Sequence, residues 1–360
     1  MEEPKPVTTV AAAAREYRVG YDPQIQDLLT KDMKVFRIDE TTVGISDFPL
    51  ISAVVAARPV LASERSVFKP AAGADIHHDS ATRSIHALGR DVMAGVRTPP
   101  PPAHQLSGEW PYAATSYLRT WLFSSDPLPV SLLSNRGVTR SDLLSRIVDR
   151  AVTVWPRSGG ESKGTMLAEQ IHDASDTQNR RQAIALYRRA TATLSDGVAA
   201  LVANALWLMG PERHEVPRTE HTAVLWETLR VLPPAWMLFR SGGDVYDGLH
   251  PDIRPQDNIA LFPLLVHRDP DYWSDPLEFR PERWNGVEDP EKTPAFMPFG
   301  FDGARCWAKH LVVPLAERLL HVALDNQLTI HSPQQRTHIP LRSLLSVRFE
   351  AEVAAQASAP

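Results

Sequence analysis

The sequence is poor in three features that would each have pointed to a class of protein. One of its 360 residues is cysteine, which excludes an intrachain disulfide framework and a multi-cysteine zinc or iron–sulfur site. Its 38 Lys and Arg are outnumbered by 43 Asp and Glu, so no basic excess is available to neutralise nucleic-acid phosphates. The most apolar stretch, 198–209, contains Asn204 and is shorter than a membrane span. We therefore expect neither a nucleic-acid partner nor a membrane span.

The remaining composition is that of a globular protein. Hydrophobic residues make up 43% of the chain and charged residues 22%, and the length allows two domains or one large one. The 31 prolines indicate many irregular connections. The N-terminus is acidic at Glu2 and Glu3, and its apolar run Val10–Ala14 is too short for a signal peptide. The expected location is the cytoplasm.

Hydrophobic periodicity predicts a mainly α-helical fold with small β-sheets. Helices are predicted over 47–57, 80–96, 112–123, 141–155, 176–209, 219–231 and 307–326. Strand pairs are predicted at 34–38 with 41–46, and at 328–330 with 345–350. Thr139 and Asp142 form a capping-box pattern before the fourth helix. Strands and helices do not alternate, so we expect no parallel sheet.

Four short motifs follow one another in the C-terminal half of the chain. They are Glu227-Thr228-Leu229-Arg230, Arg240, the stretch from His267-Arg268-Asp269-Pro270 through Trp273 to Arg280-Pro281-Glu282-Arg283-Trp284, and Pro298-Phe299-Gly300-Phe301-Asp302-Gly303-Ala304-Arg305-Cys306. Each alone has an ordinary explanation, such as a surface ion pair on a helix or a polar turn. Their order and spacing together do not arise by chance.

The single cysteine has the surroundings expected of a metal-ligating thiolate. Gly300 and Gly303 allow tight backbone conformations, so the loop can run flat beneath a planar cofactor. Cys306 precedes a predicted helix, whose dipole and free N–H groups favour a thiolate over a thiol. One thiolate without a companion Cys or His at metal-site spacing suits an axial haem ligand better than zinc.

From about Leu194 to the C-terminus, this set of motifs resembles the cytochrome P450 family of haem-thiolate enzymes, in its bacterial soluble form. The resemblance implies one large P450-like haem domain over 21–360, after a loose N-terminal arm at 1–20. Substrate recognition would involve about 90–176, and about 190–326 would form the haem-binding core. The implied cofactor is haem b, iron protoporphyrin IX.

Residue roles follow from the same resemblance. Cys306 is implied as the axial ligand of the haem iron, and Glu227, Arg230 and Arg283 as a buried structural triad behind the cofactor. The other implied cofactor-binding residues are Arg240, His86, Arg90, Arg305, Phe299 and Gly300, the first four as candidate propionate partners.

Two segments depart from the family pattern. The cysteine loop has Asp302, Ala304 and Ala308 where Gly, Arg and Gly are usual, although the Phe299–Cys306 spacing is kept. The central helix has Thr193, Ser195 and Asp196 where the family carries an acid followed by threonine for proton delivery. The residue types are present but their order is not, so Asp196 or Ser195 is the candidate proton donor.

The implied function is a monooxygenase that oxidises a small organic substrate with dioxygen. Electrons would come from a separate ferredoxin or flavodoxin-type partner, because the chain has no Gly-x-Gly-x-x-Gly or flavin module. Arg305, Lys309 and His310 are candidates for a basic surface that binds it. The Ala-, Arg- and Pro-rich composition is compatible with bacterial natural-product biosynthesis.

Other functions remain open from the sequence. The altered central helix is compatible with a P450-fold haem enzyme that uses peroxide or acts as a redox-neutral cyclase, dehydratase or isomerase, or with a haem sensor or carrier. Gly160-Glu161-Ser162-Lys163-Gly164 matches the nucleophile elbow of a serine hydrolase, but Pro156–Gly159 separate it from the preceding apolar run. His77-His78-Asp79 is better explained as a polar loop than as a metal site.

Overall fold

The computed structural model describes residues 23–30, 33–57, 78–135, 137, 141–155, 164–242, 244–300, 305–331, 334, 338–340 and 343–354. Its helices are α1 (Pro23–Thr30), α2 (Phe48–Ala57), α3 (His78–Gly95), α4 (Tyr112–Phe123), α5 (Leu128–Ser131), α6 (Asp142–Val154), α7 (Met166–Asp173), α8 (Thr177–Met209), α9 (His221–Val231), α10 (Pro263–Val266) and α11 (Lys309–Asp325). The predicted mainly helical fold with small sheets is confirmed. The predicted arm at 1–20 lies outside the described residues.

The long helix α8 is the centre of the molecule. It begins where the Asp176 side chain accepts the Asn179 backbone N–H at 2.9 Å, and it ends at Gly210, whose φ of +72° suits a residue without a side chain. It packs against α4, α6, α7, α9 and α11. The continuous helical stretch Thr177–His214 is long and apolar enough to cross a membrane, and 72% of its most apolar window is buried within the protein.

A four-stranded sheet lies beside this helical body. Its strands are β1 (Val35–Asp39), β2 (Thr42–Ile45), β4 (Leu238–Arg240) and β5 (Asn258–Leu261), in the order β1-β2-β5-β4. The predicted β1–β2 pair is present and antiparallel. β2 and β5 run parallel, whereas β1–β2 and β4–β5 are antiparallel; no pattern in the sequence indicated this parallel pair. The pair joins distant parts of the chain, which local periodicity does not reveal. Gly44 in β2 lies against the Phe36 ring, where a Cβ would come within 2.5 Å of it.

A second, smaller sheet joins residues 108–110 to two strands near the C-terminus. β3 (Gly108–Trp110) and β6 (Thr329–Ile330) flank β7 (Phe349–Glu352), and all pairs are antiparallel. The predicted C-terminal strand pair is therefore present, with its second strand starting four residues later than predicted. β3 was not predicted. It is fixed by tertiary packing, because the rings of Trp110 and Phe349 stack with centroids 5.7 Å apart.

Helix boundaries differ from the predictions by a few residues. α6 is capped by Ser141, whose hydroxyl accepts the Leu144 backbone N–H at 3.3 Å. Thr139, the predicted cap, lies outside the described residues. α7 was not predicted as a helix. Its first two N–H groups, from Met166 and Leu167, are bound by the carboxylate of Asp91 in α3. The Thr165 hydroxyl accepts the Ala168 N–H at 3.1 Å, so the helix has both a local cap and a long-range one.

Candidate functional site

Cys306 lies immediately before α11, and its sulfur receives a hydrogen bond. The Ala308 backbone N–H points to Sγ at 3.4 Å, and the Cys306 N–H donates to the Phe299 carbonyl at 2.6 Å. Gly300, with φ of +80°, makes the tight turn after Phe299. Cys306 is partly buried. A backbone N–H directed at sulfur next to a helix N-terminus favours the thiolate.

The rest of the cysteine loop is described only in part. Residues 301–304, which include Asp302, Gly303 and Ala304, lie outside the described residues. Arg305 contacts the Glu291 carboxylate at 3.4 Å, and Lys309 contacts the same oxygen at 2.7 Å. His310 is exposed. The basic surface predicted from the sequence is therefore partly neutralised by Glu291.

Glu227 and Arg230 form a completely buried ion pair on α9. Arg230 Nη2 and Nε donate to the two carboxylate oxygens at 2.7 and 3.0 Å, and both side chains are 0% exposed. The remaining donors of Arg230 bind the backbone carbonyls of His267, Pro276 and Glu278 at 2.6–3.0 Å. Burial lowers the pKa of Arg230 and the adjacent Glu227 raises it. Because these donors of Arg230 all have acceptors, hydrogen bonds offset the free-energy cost of burying its charge.

The segment around Arg283 adds three further donors to Glu227. Arg283 Nε reaches Oε1 at 3.3 Å and the Arg280 backbone N–H reaches it at 2.9 Å. Trp284 Nε1 donates to Oε2 at 2.9 Å. The structure thus brings together Glu227, Arg230 and Arg283. It adds Trp284, which stood in the sequence motif without an assigned role.

His267 connects this ion pair to the cysteine loop. Its carbonyl accepts Arg230 Nη1 at 3.0 Å, and its ring Nε2 accepts the Met297 backbone N–H at 2.9 Å. The side chain is fully buried, and desolvation with the nearby Arg230 lowers its pKa to about 3. A neutral ring keeps Nε2 available as an acceptor. The sequence showed His267 only within a turn-like motif, and nothing local indicated its burial.

The three candidates on α8 have different surroundings. Thr193 is exposed. Ser195 is fully buried, and its hydroxyl has no hydrogen-bond partner within the part of the chain that the structure describes. Asp196 Oδ1 lies 3.4 Å from Arg119 Nη2 of α4, with its side chain 44% exposed. Within the described ranges the Ser195 hydroxyl is therefore not hydrogen-bonded to Asp196 or Thr193.

The candidate propionate partners are placed in two separate regions. Arg240 ends β4 and is half-buried. His86 and Arg90 lie on the exposed face of α3, where Arg90 Nε contacts the Met166 sulfur at 2.9 Å. No contact within the described ranges joins either of them to Cys306.

Two alternative motifs fall largely outside the described residues. Of the Gly160–Gly164 pattern, Gly164 alone is described. His77 is not described, and for His78 and Asp79 only the backbone is. No group of three or more His, Cys, Asp or Glu in the described ranges is arranged to hold a metal ion. The partly buried Cys306, whose sulfur accepts the Ala308 N–H, fits single-thiolate ligation of haem iron.

Comparisons with known proteins agree with this geometry. The sequence pattern of the family described as Cytochrome P450 matches residues 218–306, which hold α9, the Arg283 segment and Cys306. Cyclooctatin synthase of Streptomyces melanosporofaciens is 29% identical over 178 residues, 46% of this chain and 37% of that protein. Cyclooctat-9-en-7-ol 5-monooxygenase of the same organism is 33% identical over 116 residues, 31% of this chain and 25% of that protein.

The likeness in structure extends over nearly the whole chain. The crystal structure of a post-tailoring hydroxylase involved in himastatin biosynthesis superposes with a TM-score of 0.60 at 16% identity, covering 94% of this chain and 99% of that one. The sequence matches to the two Streptomyces relatives span about a third or less of their length. The sequence match over residues 218–306 and the likeness in fold both point to the cytochrome P450 family.

Proposed function

We propose that this protein is a haem-thiolate oxidoreductase that oxidises a small organic substrate in a bacterial natural-product pathway, with Cys306 as the residue whose thiolate would hold the haem iron. The observation that carries the proposal is the Ala308 N–H directed at the Cys306 sulfur, in a loop closed by the Cys306–Phe299 hydrogen bond. The chemistry supplied by thiolate-bound haem b is the activation of dioxygen or peroxide for attack on an organic substrate. We propose 21–360 as one haem domain of a cytoplasmic enzyme, with its substrate region at about 90–176.

The first role of the protein in this chemistry is to hold the Cys306 sulfur in place. The Ala308 N–H stabilises negative charge on Sγ, and the Phe299 carbonyl fixes the backbone of Cys306. His267 binds the N–H of Met297 on the other side of Gly300. Both ends of the turn before the cysteine are thus tied to buried groups, which supports a sulfur position that does not change during turnover.

The proposed propionate partner is Arg240. It is a half-buried cation on β4, a strand held in register by β5. Arg305 already contacts Glu291, and His86 and Arg90 lie on an exposed helix face. These placements favour Arg240 over the other three candidates.

The proposed electron donor is a separate ferredoxin or flavodoxin-type protein. Lys309 and Arg305 share Glu291, so the surface beside Cys306 carries less positive charge than the sequence suggests. Electrostatic attraction of an acidic carrier would accordingly be moderate and sensitive to salt.

A second candidate function is oxidation by peroxide, or redox-neutral chemistry, in the same site. It is favoured by the ion contact of Asp196 with Arg119 and by the fully buried hydroxyl of Ser195, which has no hydrogen-bond partner among the residues that the structure describes. Turnover with peroxide but not with dioxygen and a reduced carrier would select this function.

The first test is an absorption spectrum of the purified protein, reduced under carbon monoxide. A strongly red-shifted Soret band is expected for the protein and its loss is expected for Cys306→Ser. Ser124→Ala, a change at an exposed hydroxyl, is the control and should keep the band. A histidine-like band, or no haem at all, would overturn the assignment of Cys306.

A further inference from the structure

Two histidines meet between α9 and α11, away from the cysteine loop. His221 is the first residue of α9, and His321 lies in α11 one helical turn after Glu317. Their ring centroids are 5.0 Å apart and the planes are inclined by 48°. His221 is 2% exposed and His321 is partly buried. Neither residue has a role in the proposed function.

Each ring has a buried nitrogen without a partner. His221 Nε2 contacts the Val216 carbonyl at 3.1 Å and therefore carries the proton, which leaves Nδ1 as a lone-pair acceptor. Within the part of the chain that the structure describes, neither His221 Nδ1 nor His321 Nε2 has a hydrogen-bond partner, although both atoms are buried. Buried polar atoms are seldom left unsatisfied, so two of them in neighbouring rings require an explanation.

The spacing of the rings agrees with a shared metal ion. Two imidazoles on one tetrahedral zinc ion, with Zn–N distances of about 2.0–2.1 Å, place their ring centroids about 5 Å apart. The observed separation has this value. Imidazole nitrogen is a preferred ligand of borderline divalent cations such as Zn²⁺, Cu²⁺ and Ni²⁺.

A carboxylate lies close to the histidine pair. Glu317 Oε1 accepts the Thr222 hydroxyl at 2.6 Å, so this carboxylate is fixed beside His221 and adds negative charge there. His321 is partly exposed, so the pair lies near the protein surface.

We propose that His221 and His321 bind a borderline divalent metal ion, with zinc as the representative, which links α9 to α11. The protein supplies two nitrogen ligands, and water completes the coordination shell. Such a site ties the helix that carries Glu227 and Arg230 to the helix that follows Cys306. It is independent of haem, so its failure would leave the proposed function untouched.

The test measures zinc bound to the full-length purified protein after chelator treatment, titration with Zn²⁺ and desalting. We expect His221→Gln and His321→Gln each to lose one equivalent per chain relative to the unsubstituted protein. His331→Gln, at a more exposed histidine, is the matched control and should lose none of this equivalent. Cys306→Ser should also keep it, which separates the site from the cysteine.

Two further measurements keep the proposal falsifiable if a variant fails to fold. X-ray absorption at the zinc edge of the unsubstituted protein should show imidazole nitrogens at about 2.0 Å. Zinc, but not magnesium, should raise the melting temperature by about 3 °C or more at saturation, because a ligand of the folded state stabilises it. Absence of zinc, or equal stoichiometry in His321→Gln and His331→Gln, would overturn the site.

Discussion

Glu227 and Asp196 were both singled out in the sequence, and the structure gives them opposite surroundings. Glu227 is fully buried and accepts five hydrogen bonds, three from guanidinium groups, one from a backbone N–H and one from the Trp284 indole. Asp196 is nearly half exposed, and its Oδ1 lies 3.4 Å from Arg119 Nη2. The side chains around Glu227 are thus held by many hydrogen bonds, whereas Asp196, in the middle of α8, is nearly half exposed.

The largest expected effect comes from removing the charge of Glu227. In Glu227→Gln the buried guanidinium of Arg230 loses its carboxylate, and we expect a loss of about 3–5 kcal/mol in unfolding free energy. Urea denaturation measures it. Glu282→Gln, whose side chain is 56% exposed and pairs with Arg280, is the control and should change stability by less than about 1 kcal/mol. Equal effects would show that the buried pair is not special.

The next effect concerns the link from this ion pair to the cysteine loop. His267→Phe keeps an aromatic ring but leaves the buried Met297 N–H without an acceptor, so a loss of about 1–3 kcal/mol is expected. The variant should also show a less stable thiolate band under carbon monoxide. His310→Phe, at an exposed position, is the control, and a similar loss there would contradict the role of His267.

Asp91 is a buried carboxylate whose pKa is raised. It accepts the N–H groups of Met166 and Leu167, and burial raises its pKa to about 6. A raised pKa in the folded state means that its contribution to stability is present below about pH 4 and is lost as pH rises through 6. We expect Asp91→Asn to flatten the stability profile in this window. An unchanged slope between pH 4 and 6 would exclude Asp91 as its source.

The smallest effect is expected at Asp196. Because its ion pair with Arg119 is half exposed, Asp196→Asn should change unfolding free energy by less than about 1 kcal/mol. If this pair is the residue's main role, product formed per dioxygen consumed should not change. A rise in uncoupled dioxygen consumption, with peroxide-driven turnover retained, would instead assign Asp196 to proton delivery.

Local patterns predicted the helices well, because amphipathic periodicity depends on neighbouring residues. The stretch 176–209 was predicted as one helix, and the structure has Thr177–Met209 with Asp176 as its cap. The spacing of Glu227 and Arg230 likewise needs only one helical turn. Such features are contained within a short segment of sequence.

Features that depend on distant contacts were not predictable in this way. His267 and Trp284 acquire their roles because segments separated by tens of residues meet at Glu227 and Met297. The surroundings of Asp196 depend on how α4 packs against α8. The pairing of β2 with β5 is likewise absent from the local pattern.

That parallel pair also has a consequence for the order in which the protein folds. β2 pairs directly with β5, which is synthesised roughly 200 residues later, so at about 5–20 residues per second the β1–β2 hairpin waits about 10–40 s for its neighbour. During that time one edge of β2 is open and the hydrophobic residues Val43 and Ile45, fully buried at the end, lack their cover. We therefore expect translation rate and early chaperone contact to change the yield of folded protein more than a change in the stability of the folded protein would.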